Sequence, residues 1–369
     1  MCSGKTDDIR DVYDNTKKHD ILQESVEPLI VWYRQNKRQL PWREQTDAYR
    51  IWVSEIMLQQ TRVEAVKSYY VRFLKELPNV QALAEADEDK LLKLWEGLGY
   101  YNRVRNMQKA ARQVMEIHQG IFPQTYEEIR SLTGIGNYTA GAVSSFAFGI
   151  PKPAVDGNVL RVVSRLLCSE EDIMKASVRS RWEQEIEKVI PKDAASDFNQ
   201  GLIELGAIVC VPNGAPKCEE CPLSALCQAK AKGCQERLPV KKKAKERRIE
   251  ERTVFIFKDN HMVAIRKRPS KGLLAGLYEF PNVVGHLSVE EAAAYGKSIG
   301  LMPVRVQKLG SAKHIFSHVE WHMIGYEILV DELEENCSER MIFAEKGELE
   351  VKYPIPTAFS AYTEYALFC

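Results

Sequence analysis

The chain has 369 residues, 45% of them hydrophobic, and its 51 basic and 51 acidic side chains leave no formal net charge. That length allows two domains, each large enough for its own core. No apolar run approaches the roughly 20 residues of a membrane span, and the polar N-terminus lacks the apolar stretch of a secretion signal. A cytoplasmic, monomeric protein is expected, and any nucleic acid would have to be held by local charged patches.

Residues 1–20 are polar and mixed in charge and read as a flexible arm. From about 21 to 209 apolar residues recur at helical spacing, as in "LIVWYRQ", "IWVSEIMLQQTRVEAVKSYYVRFL", "DKLLKLWEGL" and "VRNMQKAARQVMEIH". With the cysteine cluster that follows, this makes an all-α domain over 21–235. In "WVSEIMLQQTRV" a helix would set Glu55 on one face with Ile51, Trp52, Leu58 and Gln59. An acid desolvated by such neighbours has a raised pKa and can be protonated near neutral pH.

In "SLTGIGNYTAGAVSSFAF", Gly134 and Gly136 permit a tight turn between helices, whose outward N–H groups suit a DNA phosphate. An ordinary Gly-rich turn is the alternative. Eighteen residues after Tyr138 comes Asp156, the only acid of residues 134–158, in "VDGN" with Asn158. On local pattern alone it reads as an N-cap for the helix "GNVLRVVSRLL".

Of nine cysteines, Cys2, Cys168, Cys234, Cys337 and Cys369 are scattered, whereas Cys210, Cys218, Cys221 and Cys227 fall together. In a reducing compartment such a cluster reads as a metal site, iron–sulfur or zinc, rather than a disulfide framework. Residues 236–251 read as a basic linker, in a stretch ("LPVKKKAKERRIEER") with seven basic and three acidic residues. Beyond it the apolar period becomes two in "TVFIFKDNHMVAIRKRP" and "EWHMIGYEILV", with a short helix "VEEAAAYGKSIG" between them. Residues 252–369 are therefore expected to be α+β.

The hairpin, the "VDGN" aspartate at its eighteen-residue spacing and the four cysteines together resemble the endonuclease III superfamily of DNA glycosylases, over roughly residues 25–230. The resemblance implies that Asp156, with Asn158, stabilises the positive charge that base removal builds on the sugar. It also implies that Gly134 and Gly136 meet the DNA backbone. Members that also cut DNA carry a lysine where Tyr138 stands, and a phenol cannot form their Schiff base. The chain thus resembles the monofunctional members.

The segment around Glu55 resembles the adenine-specific MutY branch, in which a general acid protonates the leaving adenine. By the same resemblance Leu58, Gln59, Gln60 and Tyr100 form the wedge that enters the base stack. Trp42 and Arg43 would wall the adenine pocket. The four cysteines would hold a [4Fe–4S] cluster, although their first gap has seven residues where the family has six.

"RKRPSKGLLAGLYEFPNVVGH" is similar to the opening of a Nudix box, but the metal-binding acids of Nudix hydrolases are out of pattern in "VEEAAAYGKSIG". MutY proteins use such a degenerate domain to recognise 8-oxoguanine, and "HIFSH" matches their recognition loop at Phe316, Ser317 and His318. The expectation is a multidomain chain: an all-α helix-hairpin-helix glycosylase domain with an iron–sulfur loop, then an α+β Nudix-like domain. It would act on double-stranded DNA carrying A:8-oxoguanine or A:G mispairs, close to the nucleoid. A G:T mismatch thymine glycosylase and a catalytically silent DNA-binding protein are the alternatives.

Overall fold

The computed structural model describes residues 5–242, 246–333 and 340–367. Residues 1–4 of the expected arm, residues 243–245 of the linker, and Cys2, Cys337 and Cys369 lie outside them. The chain separates into two compact units, residues 1–85 with 106–243 and residues 86–105 with 244–369.

The first unit is helical. α1 (Lys5–Asn36), α2 (Ala48–Leu58), α3 (Val63–Glu76) and α4 (Val80–Glu85) precede α5 (Glu88–Leu94), which belongs to the second unit. α6 (Asn102–Ile117) begins in the second unit and continues into the first. There follow α7 (Tyr126–Ser131), α8 (Asn137–Phe148), α9 (Gly157–Leu166), α10 (Ala176–Val189), α11 (Ala195–Ile208) and α12 (Gln228–Ala231). Among the described residues no helix is long and apolar enough to cross a membrane.

The flexible arm expected over residues 1–20 is corrected, because the backbone is already helical from Lys5. Residues 5–27 contain no Gly or Pro, so nothing stops the helix from propagating outward from its buried end. That end carries the stripe Leu22, Val26, Leu29 and Ile30, packed with Val159 and Val163 of α9, Trp182 of α10, and Phe198 and Leu202 of α11. Each such side chain contributes roughly 1.5–3 kcal/mol by leaving water.

One close approach sets the spacing of the site. A Cβ at Gly141 of α8 would stand 1.9 Å from the Pro153 carbonyl oxygen. Only glycine lets α8, which carries Tyr138, lie against the extended backbone that leads into Asp156.

The second unit is built on an eight-stranded sheet. Its strands are β1 (Arg248–Lys258), β2 (Met262–Lys267), β3 (Tyr278–Glu279), β4 (Asn282–Val284), β5 (Pro303–Lys308), β6 (Ala312–Ile315), β7 (Val319–Val330) and β8 (Ile342–Glu345). The main path runs β3-β2-β1-β7-β5, with β4 on β1, β6 on β7 and β8 on β2. β1 and β7 pair in parallel along their lengths and the remaining pairs are antiparallel.

β1 is buried at every residue from Thr253 to Lys258. Val254 and Ile256 face a layer containing Phe359 and Tyr362, of the 3-10 turn Thr357–Phe359 and of α15 (Ser360–Leu367). Phe255 and Phe257 face the other, under α13 (Val289–Ser298). The expected turn at Asp259 is held by its own carboxylate, which accepts from the backbone N–H groups of His261 and Met262 at 2.7 Å.

Two domain boundaries differ from expectation. The linker expected over 236–251 gives up its last four residues to β1, whose backbone is satisfied from Arg248 onward by pairing with Val319–Met323 of β7. Residues 86–105, expected within the helical domain, belong to the second unit. There Lys93 Nζ donates to the Tyr353 carbonyl at 3.1 Å, and Arg105 Nη2 to the Ala275 carbonyl at 2.8 Å. The apolar period of α5 reveals its buried face but not what covers that face.

Candidate active site and cysteine loop

A cavity of about 710 Å³ in the helical unit gathers most of the expected site residues. Glu55, Leu58, Gln59 and Gln60 come from the end of α2 and its exit, and Trp42 and Arg43 from the turn before it. Tyr138 comes from the first turn of α8, and Asp156 and Asn158 from the start of α9.

Glu55 is only 5% exposed. Tyr138 Oη donates to its Oε2 at 2.6 Å. Burial pushes the Glu55 carboxyl up to about 7, with the Tyr138 bond opposing the shift and the Asp156 charge adding to it. Burial likewise raises the Tyr138 phenol well above its ordinary range, so it remains a proton donor. This is the desolvated acid that the apolar stripe of α2 predicts.

Asp156 caps α9, accepting on Oδ1 from Asn158 N at 2.8 Å and Val159 N at 2.9 Å. The Asn158 side-chain amide donates to Oδ2 at 2.6 Å. Burial raises the Asp156 carboxyl, and these three donors, which favour the anion, oppose that rise. Asn158 is itself held by Arg161, whose Nη2 donates to Asn158 Oδ1 and to the Gly206 carbonyl, both at 2.8 Å.

Sequence reasoning missed Glu204. It sits on α11, fully buried, and lines the same cavity. Arg38 donates to Oε1 from Nε at 2.8 Å and to Oε2 from Nη2 at 2.9 Å, while Arg43 Nη2 donates to Oε2 at 2.8 Å. Burial alone would raise Glu204, but the two guanidiniums outweigh it and hold the carboxyl at about 2. The only signal in the sequence is one acid in the apolar run "LIELGAI".

Within the hairpin only Gly134 needs to be glycine for its backbone, at φ +79°. Gly136, expected to share that task, is extended (φ −92°) and is the N-cap of α8. Arg130 buttresses the turn, donating from Nη1 to the Ile135 carbonyl and from Nε to Asn137 Oδ1, both at 2.8 Å. Tyr100, expected in the wedge, does not line the cavity. It lies in the 86–105 segment, half-exposed and left-handed at φ 47°.

In the second unit Phe316, Ser317 and His318 connect β6 to β7. The Phe316 ring meets Trp321 edge-on at 4.9 Å and His314 at 4.5 Å, while Ser317 and His318 are exposed.

The four clustered cysteines line one smaller cavity with Arg165, Lys217 and Lys230. The longer first gap closes through Lys217 N, which donates to the Val209 carbonyl at 3.0 Å, and Cys210 stays with the other three. Arg165 Nη1 approaches Cys210 Sγ at 3.3 Å. Burial raises Cys218, Cys221 and Cys227, with Cys221 pushed up to about 12. Among the described residues no three His, Cys, Asp or Glu side chains converge closely enough to hold one metal ion.

Residues 53–192 match the family described as HhH-GPD superfamily base excision DNA repair protein, and residues 252–365 match the NUDIX domain family. The chain is 33% identical to the adenine DNA glycosylase of Mus musculus, over 86% of this chain and 76% of that one. It is 32% identical to the adenine DNA glycosylase of Buchnera aphidicola subsp. Baizongia pistaciae, over 83% of this chain and 86% of that one. Among solved structures, a thermostable thymine-DNA glycosylase superposes with a TM-score of 0.52 at 29% identity, covering 59% of this chain and 99% of that one. With the helical site, the Nudix-type sheet and these relatives together, the chain belongs to the adenine DNA glycosylases of base excision repair.

Proposed function

We propose that the chain hydrolyses the N-glycosidic bond of adenine paired with 8-oxoguanine, or with guanine, in duplex DNA, and leaves the backbone uncut. The observation that carries this reading is the 2.6 Å hydrogen bond from Tyr138 to a buried Glu55 carboxyl, in a cavity shared with Asp156. Glu55, with its pKa near 7, donates a proton to the adenine ring, and the C1′–N9 bond breaks with its electron pair leaving on the base. The Asp156 carboxylate, held by Asn158 and the α9 backbone, faces the sugar cation. Water then adds at C1′ and sheds a proton to the Glu55 carboxylate, which restores the acid. Tyr138 offers no amine for a Schiff base.

Base release from duplexes carrying A:8-oxoguanine, A:G and T:G tests the assignment. Adenine release without strand scission or a borohydride-trapped adduct is expected, and thymine release from T:G would overturn it.

Cys210, Cys218, Cys221 and Cys227 would hold a [4Fe–4S] cluster, which would brace the loop and supply no bond-making step. Four thiols lining one cavity fit such a group, because buried thiolates need the counter-charge that iron provides. Cys221→Ser should lose the iron and the brown colour of the purified protein, whereas Cys234→Ser should keep both. Iron analysis decides, and equal iron loss in the two variants, or zinc in the parent, contradicts the ligand set.

The Phe316–His318 turn would read the base opposite the adenine. 8-Oxoguanine differs from guanine by the C8 carbonyl and the N7 proton, and one hydrogen bond made or left unpaired decides about 1–3 kcal/mol. Ser317 and His318 are exposed and can donate or accept, while Phe316 anchors the turn on Trp321. Ser317→Ala with His318→Ala should reduce the preference for A:8-oxoguanine over A:G by about tenfold or more. Single-turnover excision of both duplexes at fixed salt measures it, and an unchanged ratio refutes the role. Point substitutions are preferable to truncation after residue 242, which would strip residues 86–105 of their partners.

A further inference from the structure

Cys168 and Cys234 lie outside the four-cysteine cavity and have no part in the glycosylase reading. Their sulfurs are 3.1 Å apart. Cys234 is buried, and Cys168 is partly exposed. The two share a small apolar cluster with Ala229, Leu238 and Val240, which Cys227 also borders. A disulfide needs the sulfurs at about 2.05 Å, so closure asks for a side-chain movement of about one ångström.

The backbone at Cys168 points the same way. α9 ends in the pattern in which Cys168 N donates to the Arg165 carbonyl at 3.2 Å and Ser169 N to the Ser164 carbonyl at 2.8 Å. That pattern puts Cys168 in the left-handed region, at φ 50°. Glycine is the residue such a cap prefers, and a cysteine there is not explained by the local backbone. The thiol it sets against Cys234, 66 positions along the chain, does explain it.

We infer that Cys168 and Cys234 form a reversible disulfide, a redox modification site that staples the end of α9 to the end of the cysteine loop. With a small-molecule disulfide as oxidant, the Cys168 thiolate attacks one of its sulfurs and expels the first small thiol. The Cys234 sulfur then attacks Cys168, forms the Cys168–Cys234 bond and expels the second. Two protons and two electrons pass from the pair to the oxidant, which leaves as two thiols. The partly exposed Cys168 is the sulfur an oxidant can reach, and the buried Cys234 is placed to resolve the mixed disulfide.

The chain allows an unambiguous test. Tryptic peptides 166–175 and 233–237 contain Cys168 and Cys234 as their only cysteines, while Cys218, Cys221 and Cys227 share peptide 218–230. The protein as purified is incubated with oxidised glutathione, its free thiols are blocked with N-ethylmaleimide, and the digest is mapped without reduction. The expected result is a 166–175/233–237 cross-link that dithiothreitol removes and that Cys168→Ser and Cys234→Ser both lack. Closing so long a loop should also raise the unfolding midpoint of the oxidised parent by about 5 °C or more over the reduced protein.

Two results overturn the inference. One is that both thiols are recovered as the maleimide adducts under conditions that oxidise peptide 218–230. The other is that Cys168 stops at a mixed disulfide with glutathione. Peptide mapping of the parent distinguishes these outcomes even where a serine variant folds poorly. It does not read iron, so failure of the cluster assignment would leave this result standing.

Discussion

Asp156→Asn should abolish adenine excision while duplex binding and folding persist. The asparagine carbonyl can still accept from Asn158 N and Val159 N, which Asp156 Oδ1 now serves, and Asn is as good an N-cap as Asp. The Asn158 side-chain amide, which now donates to Oδ2, loses that acceptor, so a stability loss of about 1–3 kcal/mol is expected, and the protein stays folded. What disappears is the negative charge that the proposed mechanism sets against C1′. Removing a preorganised electrostatic partner of the transition state costs roughly 3 kcal/mol or more, a factor of at least about 100 in rate. Single-turnover excision, beside a binding titration on the same duplex, separates the two effects. Near-normal excision by the variant would reduce Asp156 to a helix cap.

How much of this site is legible in the chain depends on the range of the interaction that makes it. The Glu55 environment is written within one helix, because Ile51, Trp52 and Leu58 lie at helical spacings from it, and periodicity exposes such a stripe. The Asp156 cap is equally local. Glu204 is not, since its partners Arg38 and Arg43 are 166 and 161 positions away. An isolated acid in an apolar run gives no sign of them.

The same division runs through the fold. β1 and β7 are long and apolar enough to read, but β5 and β6 contain only exposed and half-buried residues. β3, only two residues long, exists through pairing with β2. The helical start of α1 is hidden for another reason. A polar, mixed-charge stretch looks like an arm, yet without Gly or Pro it can extend a helix that its other end has already nucleated.

Glu55→Gln is also expected to be inactive, and it should be more stable than the parent. The glutamine keeps the shape and can still accept the hydrogen bond from Tyr138, but it has no proton to give adenine, a loss of about 10²–10⁴ in rate. In the parent the acid form is the active one, with a pKa of about 7. Single-turnover excision should pass half its maximum near pH 7 and fall about tenfold per pH unit above it, and it should fall again on the acid side as Asp156, whose carboxyl burial raises, takes up a proton. The sign for stability follows from the same shift. The folded pKa lies above the unfolded value, so ionisation opposes folding. The penalty is absent below about pH 4, grows as the unfolded chain ionises, and is complete above about pH 7, where it reaches roughly 3–4 kcal/mol. Glu55→Gln removes that penalty, so its unfolding midpoint should exceed the parent's at pH 8 and the gap should close near pH 4. Denaturant unfolding at the two pH values reads the gap directly. Should the variant be less stable at pH 8, or retain most of its excision rate, Glu55 is not the buried acid that drives the reaction.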